Sequence, residues 1–140
     1  MKVPIKYRSG YRYQLVEPVT VQLPQQLWPS ELVEMDFIHL DAAGRLRIDE
    51  KYAWDGASGP TLDIPARQIV VPSLIHDVLC QLHREGKMES VKDARYHADE
   101  LFYSMLRERG MNVIRSKLWY RGVRMGSMMR GYNKPILEQS

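Results

Sequence analysis

Pro72-Ser73-Leu74-Ile75-His76-Asp77-Val78-Leu79-Cys80-Gln81-Leu82 lies mid-chain in a protein of 140 residues and decides how the rest is read. Leu74, Ile75, Val78, Leu79 and Leu82 fall at i, i+1, i+4, i+5 and i+8, which is one apolar stripe of a helix. Pro72 and Ser73 suit the start of that helix and Gly86 suits its end. A second helix is expected from about Ser90, with Asp93 at the capping-box position usually held by Glu or Gln. Its stripe is Ala94, Ala98, Leu101, Phe102, Met105 and Leu106, and Gly110 ends it. A third helix is expected from about Asn112 to Arg124.

The link between the first two helices, roughly Gly86 to Ser90, is short, and short links make antiparallel neighbours. His76 lies ten positions before Gly86 and Asp99 nine after Ser90. At about 1.5 Å rise per residue both stand roughly 14 Å from the turn, so an imidazole and a carboxylate should meet. The carboxylate would accept the Nδ1 proton, fix the tautomer and leave Nε2 as a base.

Upstream the chain reads as β. Tyr11–Val16 and Val19–Leu23 alternate apolar with polar residues. Phe37–Leu40 and Arg45–Ile48 flank Asp41-Ala42-Ala43-Gly44, a hairpin turn by composition. Pro18, Pro24 and Pro29 push this region toward short, edge-like strands. The fold class is therefore α+β: short N-terminal strands and hairpins, then an antiparallel helix pair, then a basic third helix. One domain over 1–140 is expected, with a β-rich part (1–53), a loop and helix pair (54–110) and a basic helix and tail (111–140).

Between these parts, Trp54-Asp55-Gly56-Ala57-Ser58-Gly59-Pro60 is a loop by its glycines and proline. Asp77 points about a quarter-turn from His76, toward the side where this loop should pack. Asp55 would add a second hard oxygen, and the glycines would free backbone carbonyls to turn inward. Carboxylates, carbonyls and water suit calcium better than zinc.

Each of these residues also has a plain structural role open to it. Asp99 could pair with Arg95 four residues earlier, and Asp55 could be an ordinary turn residue. Trp54 reads as a core or lid residue. His83 and His97 read as solvent-facing. Cys80 shares a helix face with His76, and a helix-buried thiol is usually inert. The combination, not any one residue, points to chemistry.

Composition narrows the options. The single cysteine excludes a disulfide framework within the chain and a cysteine-rich metal site. No apolar run approaches the roughly 20 residues of a membrane span, and no apolar stretch follows Lys2, Lys6 and Arg8 to make a secretory signal. The net charge of +3 is unevenly spread. From Met111 to Ser140, six cations stand against Glu138, a net of +5, leaving −2 for the rest. A basic tail on a near-neutral body suits contact with phosphate-bearing surfaces or simply a solvated helix face.

The strings Trp54–Pro60, Ser73-Leu74-Ile75-His76-Asp77-Val78-Leu79 and Ala98-Asp99-Glu100-Leu101-Phe102 resemble a phage and prophage family of unknown function. That family reads W-D-G-A-S-x-P, S-x-x-H-D-x-L-Y and A-D-x-x-F, and the likeness covers roughly residues 50 to 125. The order of parts is also similar to small calcium-dependent phospholipases A-two, in which D-G precedes H-D by about twenty residues and a helical Asp follows by about twenty more. Here Asp55 precedes His76 by 21 residues and Asp77 precedes Asp99 by 22. This second resemblance implies that His76 is the general base and Asp99 its orienting partner. It implies that Asp77, Asp55 and the carbonyl of Gly56 hold calcium, and that the substrate is a lipid ester. The chain departs from both patterns at Cys80, where a Tyr is usual, and it carries a β-rich first third that the minimal enzymes lack.

These readings give a phage-encoded calcium-dependent lipid-ester hydrolase, located in the virion or in the host cytoplasm or at its membrane. Its basic C-terminal helix, with Trp119, Tyr120, Met125, Met128 and Met129, would sit on anionic phospholipid. Two alternatives stay open. One is a non-catalytic virion, tail or accessory protein that meets other phage structural proteins. The other, with no recognised motif behind it, is a nucleic-acid-associated protein using the basic tail.

Overall fold

A computed structural model describes residues 7–8, 13–54 and 66–129. Among these the order is β1 (Tyr7–Arg8), β2 (Tyr13–Leu15), β3 (Val19–Gln22), a 3₁₀ turn (Gln25–Leu27), β4 (Val33–Met35), β5 (Ile38–Leu40), β6 (Arg45–Ile48), β7 (Ala53–Trp54), α1 (Ala66–Arg84), α2 (Ala94–Glu108) and α3 (Val113–Met129). Strands followed by helices make this the expected α+β fold.

Four strands form an antiparallel sheet in the order β3-β6-β5-β4. Its registers place Val21, Leu46, Leu40 and Val33 in one cross-strand row and Val19, Ile48, Ile38 and Met35 in the next. Period-2 alternation turns both rows to one face, and all but the partly buried Met35 are buried. The β5–β6 turn is the expected one. Asp41 Oδ1 accepts from the N–H of Ala43 and of Arg45, at 3.0 and 2.9 Å. Gly44 closes the turn at φ +81, where a Cβ would lie 2.1 Å from Trp28 Nε1, so both backbone and space call for glycine. Strands β4 and β7 were not expected. Each is two or three residues long, too short for alternation to register.

A second antiparallel sheet runs β1-β2-β7. Trp54 at its edge is a core residue, 3 % exposed. Its indole N–H donates to Ser73 Oγ at 3.0 Å, and Ser73 in turn donates to the Val70 carbonyl at 2.9 Å. This pins the sheet to α1.

The helix starts differ from expectation. Helix α1 begins at Ala66, and Pro72 lies inside it rather than at its first turn. An interior proline removes a backbone bond and costs about 3 kcal/mol. Burial of Val70 and Val71 on the preceding turn, both in the main core, offsets that cost. Helix α2 begins at Ala94, not Ser90. Asp93 is left-handed (φ 55) and makes no side-chain cap bond, so no capping box forms. Met88 and Val91 are buried in the main core, drawing the link inward, and Ser90 Oγ accepts instead from the N–H of Ser30 at 3.0 Å.

The helix stops follow the glycines. After α1, Lys87 N–H reaches the Leu82 carbonyl and Gly86 N–H the His83 carbonyl; after α2, Met111 N–H reaches Leu106 and Gly110 N–H reaches Arg107. Both are Schellman closures around a positive-φ glycine. Asn112 Oδ1 then accepts from the N–H of Arg115 at 2.8 Å and caps α3, whose start is as expected. Helix α3 continues past Arg124 to Met129.

Candidate functional site

The antiparallel pair brings His76 and Asp99 together. His76 Nε2 lies 2.6 Å from Asp99 Oδ1, with the residues 8 % and 0 % exposed. The level is as expected but the ring nitrogen is not: Nε2, rather than Nδ1, faces the carboxylate. His76 projects from α1 across to α2, so its outer ring nitrogen reaches the partner helix and Nδ1 stays nearer its own.

Asp99's other oxygen is also engaged. Oδ2 accepts from Arg124 Nη1 and from Ser127 Oγ, each at 2.8 Å. Three helices therefore converge on one carboxylate. The Arg124 guanidinium also lies over the Tyr96 ring, 5.0 Å from its centroid. Arg124 and Ser127 were not anticipated. In the sequence Arg124 counts as one more cation of a basic tail, and only the i+3 spacing of Arg124 and Ser127 hints at a shared face. The intrahelical alternative fails as the main pairing: Arg95 is buried beside His83, and Asp99's ion pair is with a residue 25 positions on.

The Cys80 thiol also touches His76. Its sulfur lies 3.6 Å from Nδ1 and 3.8 Å from Nε2. Near-equal distances put the sulfur against the ring rather than on the axis of the Nδ1 lone pair, since a sulfur on that axis would be much farther from Nε2. Phe102 covers another side, 5.3 Å between ring centroids. Burial alone would depress the imidazole pKa. The Asp99 hydrogen bond, with help from Cys80, reverses this and raises it to about 9.

Asp77 is half-buried and lies on the Tyr52 side of α1. Its charge, after burial, helps push the Tyr52 phenol up. Tyr52 itself donates to Gln81 Oε1 at 2.9 Å. The other two expected calcium ligands, Asp55 and Gly56, lie outside the described residues. Among the described residues no group of three His, Cys, Asp or Glu is placed to hold a metal ion. His76, His83 and His97 therefore form no metal cluster. His83 is half-buried with its pKa lowered by burial and Arg95, rather than solvent-facing. His97 faces outward and pairs with Glu100 at 3.2 Å. No helix among the described residues is long and apolar enough to cross a membrane.

The pattern of the family described as "Protein of unknown function (DUF1353)" matches residues 32–123, well over half of the chain. The chain belongs to that family. The matched span begins earlier than the strings of the helical half suggest: it takes in β4 to β7 along with α1, α2 and the first two-thirds of α3. It thus contains His76, Asp77 and Asp99, while Arg124 and Ser127 lie just past its end. Neither a curated protein nor a solved structure matches the chain.

Proposed function

We propose that this member of the family hydrolyses a carboxylic ester of a lipid, with His76 as base and Asp99 as its orienting partner. The observation that carries the reading is the buried dyad. Asp99 is fixed by Arg124 and Ser127, its other oxygen holds Nε2 at 2.6 Å, and the Nδ1 axis is not taken by Cys80. In this scheme Nδ1 takes a proton from water as the water attacks the ester carbonyl. Asp99 stabilises the imidazolium, and Nδ1 returns the proton to the departing alcohol. The Tyr usual at position 80 is not needed to hold Asp99, because both carboxylate oxygens already have donors.

Calcium belongs to the proposal as well. Asp77, Asp55 and the Gly56 carbonyl would hold it, and the ion would polarise the carbonyl. Calorimetry with calcium on wild type and Asp77→Ala tests this part: binding that the variant loses supports it, and no binding to wild type removes it. For the dyad, turnover of a phospholipid panel is compared between wild type and His76→Ala, with circular dichroism as a check on folding. Loss of turnover in a folded variant is expected, and unchanged turnover would sink the assignment. A phage origin, with action at the host membrane, fits this activity.

A second reading draws on the burial of the same groups. With Asp99 fully enclosed and His76 nearly so, the network also suits a non-catalytic phage accessory or virion protein held together by it. A wild-type chain inert on every ester, but destabilised by Asp99→Asn, supports that reading.

A further inference from the structure

Helix α3 has two unlike faces. One is buried: Ser116, Trp119, Val123, Arg124 and Ser127 turn inward. Trp119, grouped in the sequence with the membrane-facing residues, is 6 % exposed and packs with Phe102, Leu106, Met111 and Val123. The opposite face carries Ile114, Leu118, Met125 and Met128, which are 75, 38, 62 and 54 % exposed. With Arg121 they fall at intervals of four, three, four and three residues, a single stripe along the helix. Lys117 and Arg121 are exposed on or beside it, and α3 contains no acidic residue.

Scattered exposed apolar side chains are ordinary, but four on one stripe of a helix mark a docking surface. Charge selects the occupant. A second copy laid stripe to stripe would set Lys117 and Arg121 against their like, with no acid in the helix to relieve them. An anionic lipid surface meets the cations with headgroup phosphates and takes the apolar side chains into the acyl boundary. Two unbranched methionines suit so irregular a bed.

We infer that the Ile114–Leu118–Met125–Met128 stripe, flanked by Lys117 and Arg121, seats the protein on an anionic lipid surface with α3 lying in the interface plane. This extends the lipid-ester reading but is measured apart from it. Met125, Met128, Lys117 and Arg121 make none of the bonds to Asp99, so changing them leaves its donors in place, and His76→Ala should bind vesicles as wild type does.

The test is co-sedimentation of the full chain with vesicles of phosphatidylcholine, alone or mixed with phosphatidylserine. Wild type should bind the mixed vesicles at least about tenfold more tightly than the neutral ones, and less tightly as salt rises. Met125→Ser/Met128→Ser should weaken binding to mixed vesicles by about tenfold. Lys117→Gln/Arg121→Gln should weaken it by about tenfold or more. Binding indifferent to phosphatidylserine, or unchanged in both double variants, overturns the inference. So does a wild-type dimer, seen by sedimentation velocity and dissolved by the methionine variant, in a chain that ignores vesicles. Preference for soluble polyglutamate over vesicles overturns it too, in favour of an acidic protein partner.

Discussion

Among the described residues three histidines pair with carboxylates, and the surroundings of two of them, His39 and His76, could hardly differ more. His39, on β5, lies between Glu34 on β4 and Asp49 just after β6, with Nε2 2.8 Å from Asp49 Oδ2 and Nδ1 against Glu34 Oε1. Arg47 adds a bond to Asp49 at 3.1 Å. This cluster sits on the outer face of a sheet whose inner face is wholly apolar. His76 and Asp99 instead lie between three helices, with Arg124 beside them. The sheet would keep its core without its histidine. The helical half has ionised groups inside its packing, where removing one leaves its partners buried and uncompensated. The residue types are alike, and burial decides what they are worth.

The sharpest way to break the comparison is Asp99→Ala. It strands Arg124 and His76 together, and should cost about 3–5 kcal/mol in urea unfolding. A loss under about 1 kcal/mol would show the helical cluster to be no more than a surface pair in effect. Next comes Gly44→Ala in the sheet half, where a Cβ meets Trp28 in a left-handed turn. A loss of about 1–3 kcal/mol in the same assay is expected. It would show that the sheet depends on backbone fit where the helices depend on charge.

The pH response separates the two histidines further. His76 is raised from 6.5 to about 9, so its contribution is fully present below pH 6.5 and fades as pH climbs through about 9. That window corresponds to roughly 3 kcal/mol, and His76→Phe should abolish it in thermal melts across pH. The same titration sets the proposed chemistry. A base must be neutral, so ester turnover should rise with pH and level off above about 9. The smallest effect belongs to His39→Gln. His39 is raised by its hydrogen bonds to Asp49 and Glu34, so its stabilisation is present below 6.5 and lost through its raised value. On an exposed face that contribution is small, under about 1 kcal/mol, and should shrink as salt is added.

The sequence disclosed the halves unequally. In the sheet, alternation at Val19–Gln22 and Arg45–Ile48 and the Asp41–Gly44 turn were legible because period, turn chemistry and burial agree there. In the helices, the meeting of His76 and Asp99 followed from counting residues back to a short link. It survived even though α2 starts four residues late, since the level of two side chains depends on register and not on where regular bonding begins. Pro72 misled because a local breaker was outweighed by the burial of Val70 and Val71. Arg124 and Ser127 could not be read at all. Their partner is 25 and 28 residues away, and no local pattern marks which cation of a basic helix will turn inward.

The three-way junction at Asp99 also has a consequence in time. Arg124 and Ser127 bring it donors from the last described helix, and where α3 docks after α1 and α2 have paired, these bonds form late along the folding path. Bonds absent from the barrier act on the rate of escape rather than the rate of arrival. The junction is thus a latch: Ser127→Ala should leave refolding almost unchanged while shortening the lifetime of the native chain, with α3 the first segment to open.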